Sequence, residues 1–176
     1  MSYILRKKGY CLLTSRTTVG SDNFHFMASF LAMTELKRAL FCSFGLTKTF
    51  FNCTSLTSAP ELSATELAYG CYAKMFAKCT SLKSAPKLPA TKLEDLCYLD
   101  MFFGCSKLSS VTMLAPSDQI SGSPFNIWLY NAGTDATSRT LTLADDVAYN
   151  ALVSSLPDNW KKWAAGTTVV YYTPKP

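Results

Sequence analysis

Apolar and polar positions follow a helical period in residues 91–103. Apolar side chains recur there at steps of three and four residues, and charged side chains occupy the opposite face. Pro89 precedes the stretch and Gly104 follows it, which is the usual punctuation of a short helix. The pattern predicts a helix whose apolar face consists of Leu93, Leu96, Cys97 and Met101.

The stretch before this helix, residues 82–88, is too short and too interrupted by proline to be helical. It is predicted to be extended, and Pro86 limits how regular its hydrogen-bond ladder can be. One extended segment followed by one helix therefore makes up the predicted structural unit.

This unit recurs along the chain. Residues 53–78 and 79–104 are identical at 15 of 26 positions, and a third copy begins at Cys105. A degenerate copy occupies residues 24–49. A single unit cannot bury its own apolar side, whereas stacked units can. The sequence therefore predicts an α/β solenoid, a short stack with parallel strands on one face and short helices on the other.

Matching positions of the stacked units are expected to form a buried ladder. Free cysteine is among the most buried residue types, and the chain has no pair of cysteines at zinc-finger spacing. A metal site and disulfides between adjacent units remain as alternatives, although seven cysteines leave at least one thiol free. The predicted ladder comprises Cys53, Cys79, Cys105, Cys71, Cys97, Leu56, Leu82, Leu108, Phe50, Phe76 and Phe102.

Three regions follow from the repeats. Residues 1–23 are predicted to form a capping hairpin, residues 24–116 the repeats, with regular 26-residue units from about residue 50, and residues 117–176 a C-terminal cap. Because an open stack end invites aggregation, both caps have a physical purpose.

The C-terminal cap is predicted to be a β-α-β unit. Its elements are a strand over 139–143, a helix over 145–155 with Val147, Ala151 and Leu152 on one side, and a strand over 167–173. Two tryptophans are expected to seal this cap, with a sugar-binding aromatic platform as the alternative. They are Trp160 and Trp163.

The extended segments display a small, hydroxyl-rich and mildly charged strip that is suited to hydrogen bonding with a protein edge or a glycan. The alternative is that this strip is simply a solvated face. The candidate binding residues are Thr57, Ser58, Glu61, Lys83, Ser84, Lys87, Ser109 and Ser110.

The string Cys-Thr-Ser-Leu-x-Ser-Ala-Pro-x-Leu, followed by Ala-Thr-x-Leu and Cys-Tyr-x-x-Met-Phe, resembles the BspA-type leucine-rich repeat. The resemblance covers residues 24–114 and extends to an end unit containing Trp128 and residues 156–160. That family occurs in surface proteins of gut and oral bacteria and in some of their phages. The resemblance implies adhesion or partner binding through the repeat surface, with no catalysis.

Composition narrows the remaining classes. The chain has 176 residues, is 48% hydrophobic and 16% charged, and contains no apolar run near the roughly 20 residues that a membrane helix needs. Its net charge of +5 is spread along the chain, so specific nucleic-acid binding is not expected. Residues 1–20 lack the apolar core of an export signal, so the expected location is either the cell surface, as in the family, or a virion.

Catalysis is not expected either. The sole histidine, His25, lies in the degenerate copy, and the chain contains no nucleotide-binding glycine loop and no HExxH zinc motif. No cofactor and no metal are therefore predicted. The expected function is a non-enzymatic binding or adhesion module for a protein or glycan, possible as an oligomer; the alternative is a structural assembly protein of a phage particle or bacterial surface layer.

Overall fold

The computed structural model describes residues 47–120 and 123–173. The capping hairpin predicted for residues 1–23, and nearly all of the degenerate copy, lie outside these ranges. The elements, in chain order, are β1 (Glu66–Leu67), β2 (Lys92–Leu93), β3 (Ser110–Met113), β4 (Arg139–Leu143), α1 (Asp146–Leu152) and β5 (Thr167–Tyr171).

The prediction of a leucine-rich-repeat solenoid with helices on one face is wrong. The described residues contain two small parallel sheets, one of β1 and β2 and one in the order β3-β4-β5. Their only α-helix is the seven-residue α1, which lies outside the repeats. Residues 82–88 make isolated parallel bridges at Ser84 and Leu88 instead of a continuous strand.

The helix predicted over residues 91–103 is replaced by β2 and a succession of turns. Every fourth residue there adopts the left-handed conformation, with φ of 57° at Leu96, 51° at Asp100 and 69° at Gly104. A right-handed helix cannot continue through such residues. We call residues 47–52, 69–78, 95–104 and 124–132 the turn ribbons.

Hydrogen bonding explains why the turn ribbons differ from helices. In an α-helix every interior N–H bonds within the helix. In the ribbons, N–H groups alternate between a carbonyl of their own ribbon and a carbonyl of the next ribbon. Ala77 N donates to Lys74 O of its own ribbon at 3.2 Å, whereas Phe76 N donates to Met101 O of the next ribbon at 3.0 Å. Each ribbon is therefore completed by the ribbon that follows it.

The 26-residue period determines the contacts between ribbons. The ring of Phe76 stacks on Phe50 at 5.3 Å and on Phe102 at 5.7 Å, with planes within 3° of parallel. The Cys79 thiol donates to Phe50 O at 3.0 Å, and the Cys105 thiol repeats this contact on Phe76 O at 3.1 Å. Equivalent residues of successive repeats thus lie next to one another in the core.

The C-terminal unit contains the predicted elements with changed details. β4 spans the predicted residues, β5 pairs with it in parallel, and α1 is shorter than predicted because residues 153–155 continue as a 3-10 turn. The buried face of α1 consists of Ala148, Tyr149 and Leu152, whereas Val147 is exposed, which corrects the predicted face.

One buried arginine connects the loops of this unit. Arg139 is 9% exposed, and its guanidinium donates to the carbonyls of Gly133, Ala136, Asn159 and Ala165 at 2.7–2.9 Å. No carboxylate takes part in these bonds. Carbonyl dipoles therefore stabilise the buried charge, and one side chain holds together loops on both sides of β4 and α1.

Candidate functional site

Five hydroxyl-bearing residues form a continuous row across the parallel strands and bridges of the described residues. We call Ser58, Ser84, Ser110, Thr140 and Thr168 the hydroxyl row. Bridges pair Ser58 with Ser84 and Ser84 with Ser110, and the register of the three-stranded sheet continues the row through β4 and β5. With about 4.8 Å per pairing, the row extends roughly 19 Å.

Strand alternation places the row on the outer face of the sheet. In β3 and β4 every second side chain is buried, including Val111 and Leu141, whereas the residues between them are partly accessible. A second pair of accessible hydroxyls, Thr112 and Thr142, lies two residues further along the same face and is also in register. The outer face therefore presents a small lattice of hydroxyl groups.

Most of these hydroxyls have no partner in the described part of the chain. Ser84 Oγ makes a long hydrogen bond to Ala85 O at 3.3 Å. The side-chain hydroxyls of Ser58, Ser110, Thr140 and Thr168 make no hydrogen bond to the described residues. Each such hydroxyl can both donate and accept. The row can therefore bind the hydrogen-bonding groups of a ligand or of an extended backbone.

The structure brings some of the candidate binding residues together. Ser58, Ser84 and Ser110 are adjacent in the hydroxyl row. Ser109 binds Lys83 through both its N–H and its hydroxyl, at 2.8 and 3.0 Å to Lys83 O. Thr57 and Glu61 are exposed but take no part in these pairings.

Lys87 lies beside the carboxyl-terminal half of β3, because the next residue, Leu88, bridges Met113. Its Nζ is 3.1 Å from the hydroxyl of Tyr172 and 4.4 Å from the centre of that ring. Lys87 thus contacts the residue that follows β5, and its exposed ammonium group has no carboxylate partner among the described residues.

Sequence reasoning missed the threonines of the row. The interpretation of residues 117–176 as a cap separated Thr140 and Thr168 from the repeat strip. The alternation in Arg-Thr-Leu-Thr-Leu, in which threonine occupies every second position of β4, was the signal that places hydroxyls on one face.

The cysteine ladder is buried. All eleven ladder residues are buried except Leu56, which is partly buried against the core. Cys79, Cys97 and Cys105 are free thiols, whereas Cys53 and Cys71 are disulfide-bonded, which differs from the expectation of thiols throughout.

Burial makes the free thiols poor nucleophiles. It raises the pKa of Cys79 and of Cys97 to about 12, and it raises the pKa of Cys105 further. Since the thiolate is the reactive form, these groups do not suit covalent chemistry. Residues 47–120 and 123–173 contain no group of three His, Cys, Asp or Glu side chains placed to hold a metal ion.

The two candidate aromatic-platform residues differ sharply. Trp160 is fully buried, and its indole N–H donates to Ala132 O at 3.0 Å, so this ring cannot stack on a ligand. Trp163 is 65% exposed, with Lys161 Nζ 5.5 Å from its ring centre. Trp163 therefore does not seal the C-terminal unit in the way that was predicted.

Comparison with known protein families, with curated proteins and with solved structures gives no match to this chain. Within the described residues, no helix has the length and apolar character needed to cross a membrane.

Proposed function

We propose that this chain is a non-enzymatic binding module that recognises a protein or glycan partner through the outer face of its parallel pairings. The observation that carries the proposal is the hydroxyl row, five hydroxyl-bearing residues in register from Ser58 to Thr168. The Cys-Thr-Ser-Leu repeats resemble BspA-type sequences. That resemblance implies adhesion or partner binding, so it supports the same role.

The character of this face supports recognition more than chemistry. Its accessible side chains are mainly hydroxyls, and the free thiols Cys79, Cys97 and Cys105 are buried in the core. A row of regularly spaced donors and acceptors suits a ligand that is itself extended and repetitive, such as a glycan chain or a β-strand.

The proposal is tested by placing a large charged side chain within the row, at the fourth of its five positions. Thr140→Arg should cover the neighbouring hydroxyls of Ser110 and Thr168, and Thr134→Arg, at an exposed position in a loop, is the matched control. We expect the wild-type chain to bind to a glycan array or to immobilised surface proteins. This binding should be lost in Thr140→Arg and kept in Thr134→Arg. Equal binding by both variants, or no binding by the wild-type chain, would contradict the proposal.

A second candidate function, structural assembly, is favoured by β5. This strand pairs with β4 on one side, and no described residue pairs with its other edge. Its sequence, Thr-Thr-Val-Val-Tyr, carries no charge, and Val170 and Tyr171 are 38% and 45% exposed. Proteins that stay monomeric usually protect such edges with charges or prolines, so an open apolar edge favours strand addition by another subunit.

The assembly role is tested by self-association. We expect the wild-type chain to form larger species as its concentration rises, measured by sedimentation velocity, and Val170→Lys to remain monomeric. The control Val147→Lys, at an exposed position of α1, should associate like the wild type. A wild-type chain that stays monomeric at every accessible concentration argues against assembly.

A further inference from the structure

An open cleft lies where the last turn ribbon meets the segment that follows α1. Asn126, Ile127 and Tyr130 line one side of it and residues 154–157 the other, around a volume of about 280 Å³. Small-molecule sites are concave, largely apolar and equipped with a few polar groups, and their volumes begin near 300 Å³. The cleft therefore has the size of a small subsite, and it contains no charged side chain.

Tyr130 provides a fixed aromatic surface in this cleft. The residue is 51% exposed, and its ring stacks on Phe103 of the preceding ribbon, with ring centres 5.8 Å apart and planes 16° from parallel. One face is thus supported by protein while the side chain as a whole stays accessible. A ring held in this way loses little freedom when a ligand packs against it.

Polar groups around this ring are available for a ligand. The side chains of Asn126, Ser154 and Ser155 and the Tyr130 hydroxyl make no hydrogen bond to residues 47–120 or 123–173. Together they offer an amide and three hydroxyl groups beside an aromatic face.

The backbone of the last ribbon adds unpaired donors. In the first three ribbons, seven of the eight left-handed residues donate their N–H to a carbonyl of the next ribbon at 2.7–3.2 Å. In the fourth ribbon the left-handed residues are Ile127 and Asn131, with φ of 43° and 56°. Neither N–H reaches a carbonyl in the described part of the chain.

The conformation of Ile127 is unusual for its residue type. A β-branched residue in the left-handed region is strained, and such strain concentrates at functional sites. Here it leaves Ile127 46% exposed on the lining of the cleft, beside its own unpaired N–H.

We propose that this cleft is a carbohydrate-binding subsite, in which a sugar ring packs its C–H face against Tyr130 and its oxygens accept from the N–H of Ile127. The proposal rests on the binding role proposed above but uses a different surface. A saccharide fits because each ring offers both a C–H face and several oxygens, and because the uncharged lining demands no ionic group.

The test is saccharide binding by the full chain, followed by NMR chemical shifts and calorimetry. The probes are oligosaccharides of glucose, galactose and N-acetylglucosamine, one uronic-acid oligosaccharide and one proline-rich peptide. We expect at least one saccharide to shift the signals of residues 126–131 and 154–157. Tyr130→Ala should weaken this binding at least tenfold, whereas Tyr130→Phe should keep it within about threefold.

Two controls separate the cleft from other surfaces and from misfolding. Tyr69→Ala removes an exposed tyrosine away from the cleft and should bind like the wild type. Asn126→Ala, at an exposed position, should weaken binding without changing the melting temperature. Saccharide binding that survives Thr140→Arg but not Tyr130→Ala places the ligand in the cleft and not on the hydroxyl row.

Several results would overturn the subsite. They are the absence of saccharide-induced shifts in the cleft, equal binding by the wild type and Tyr130→Ala, and occupation of the cleft by the proline-rich peptide alone. A saccharide that binds only at the hydroxyl row would refute the subsite while supporting the proposed function.

Discussion

The repeat region, residues 50–105, and the C-terminal unit, residues 139–171, are stabilised in opposite ways. In the repeat region the same contacts recur every 26 residues, as in the aromatic stack through Phe76 and the paired thiol–carbonyl bonds. In the C-terminal unit one side chain, Arg139, connects four loop carbonyls, and no other described side chain makes an equivalent set of bonds.

This difference shows how stability is distributed along one chain. A repeated contact spreads the free energy of folding over equivalent positions, so that the loss of one leaves its copies intact. A single connecting side chain concentrates that free energy at one position. Substitutions in the two regions should therefore change the free energy of unfolding by different amounts. They should also differ in whether the structural effect stays local.

The largest effect is expected for Arg139→Met. It leaves four carbonyls without their charged donor, and we expect a loss of about 4 kcal/mol in the free energy of unfolding, measured by urea denaturation. Lys92→Met, which removes an exposed ion pair with Glu66, is the control and should cost less than about 1 kcal/mol. Equal losses in both variants would mean that Arg139 does not hold the loops together.

An intermediate effect is expected for Phe76→Leu. Phe76 stacks on a ring at each face, and the loss of both aromatic contacts should cost about 2 kcal/mol. Phe103→Leu loses the stack on Tyr130 at a half-buried position and should cost about half as much. If the two variants melt at the same temperature, the recurring stack is not a main source of stability.

A smaller effect is expected for Asp145→Ala. The Asp145 carboxylate accepts from Ala148 N at 2.7 Å at the beginning of α1, so its removal should cost about 1 kcal/mol. Asp145→Asn keeps an accepting oxygen and should recover most of the loss in thermal unfolding. A large loss in both variants would point to charge rather than capping.

At pH 9 the smallest effect concerns the free thiols, all described examples of which lie in the repeat region. Their raised pKa means that the unfolded chain releases thiol protons from about pH 9, whereas the folded chain holds them to about pH 12. Stability should therefore begin to fall near pH 9, where the loss for Cys79 and Cys97 together is less than about 1 kcal/mol, and should fall further as the pH rises towards 12.

Alkylation of these thiols measures whether the two regions open together. The native chain should react with iodoacetamide only slowly at pH 8.5, because the thiols are buried and protonated. Slow labelling in Arg139→Met would show that loosening the C-terminal unit leaves the repeat region closed. Rapid labelling would show that the two regions unfold as one.

The sequence predicted which residues lie next to one another in the core better than it predicted the backbone conformation. Identity at 26-residue spacing correctly indicates that Phe50, Phe76 and Phe102 stack, because matching residues of stacked units must meet. The predicted helix is wrong because apolar steps of three and four residues also fit a turn ribbon in which every fourth residue is left-handed. Cys97, Met101 and Cys105 keep a strict spacing of four, whereas four residues in an α-helix overshoot a full turn by about 40°.

The candidate sites were only partly predictable. Ser58, Ser84 and Ser110 follow from the repeat, whereas Thr140 and Thr168 belong to segments outside it. The cleft was missed because its two sides are separated in the sequence by the whole of β4 and α1, and no local pattern brings Tyr130 to Ser155. Only the folded chain places these residues together.

The hydrogen bonds between turn ribbons give the molecule a polarity. Left-handed residues of one ribbon pass their N–H groups to carbonyls of the following ribbon, as Lys74 does to Leu99 and Asp100 to Asn126. Peptide dipoles that all point along the stacking axis add, as they do in a helix. A head-to-tail contact between copies along that axis would join unlike surfaces, so it would build a ring or an open-ended fibre and not a closed twofold pair.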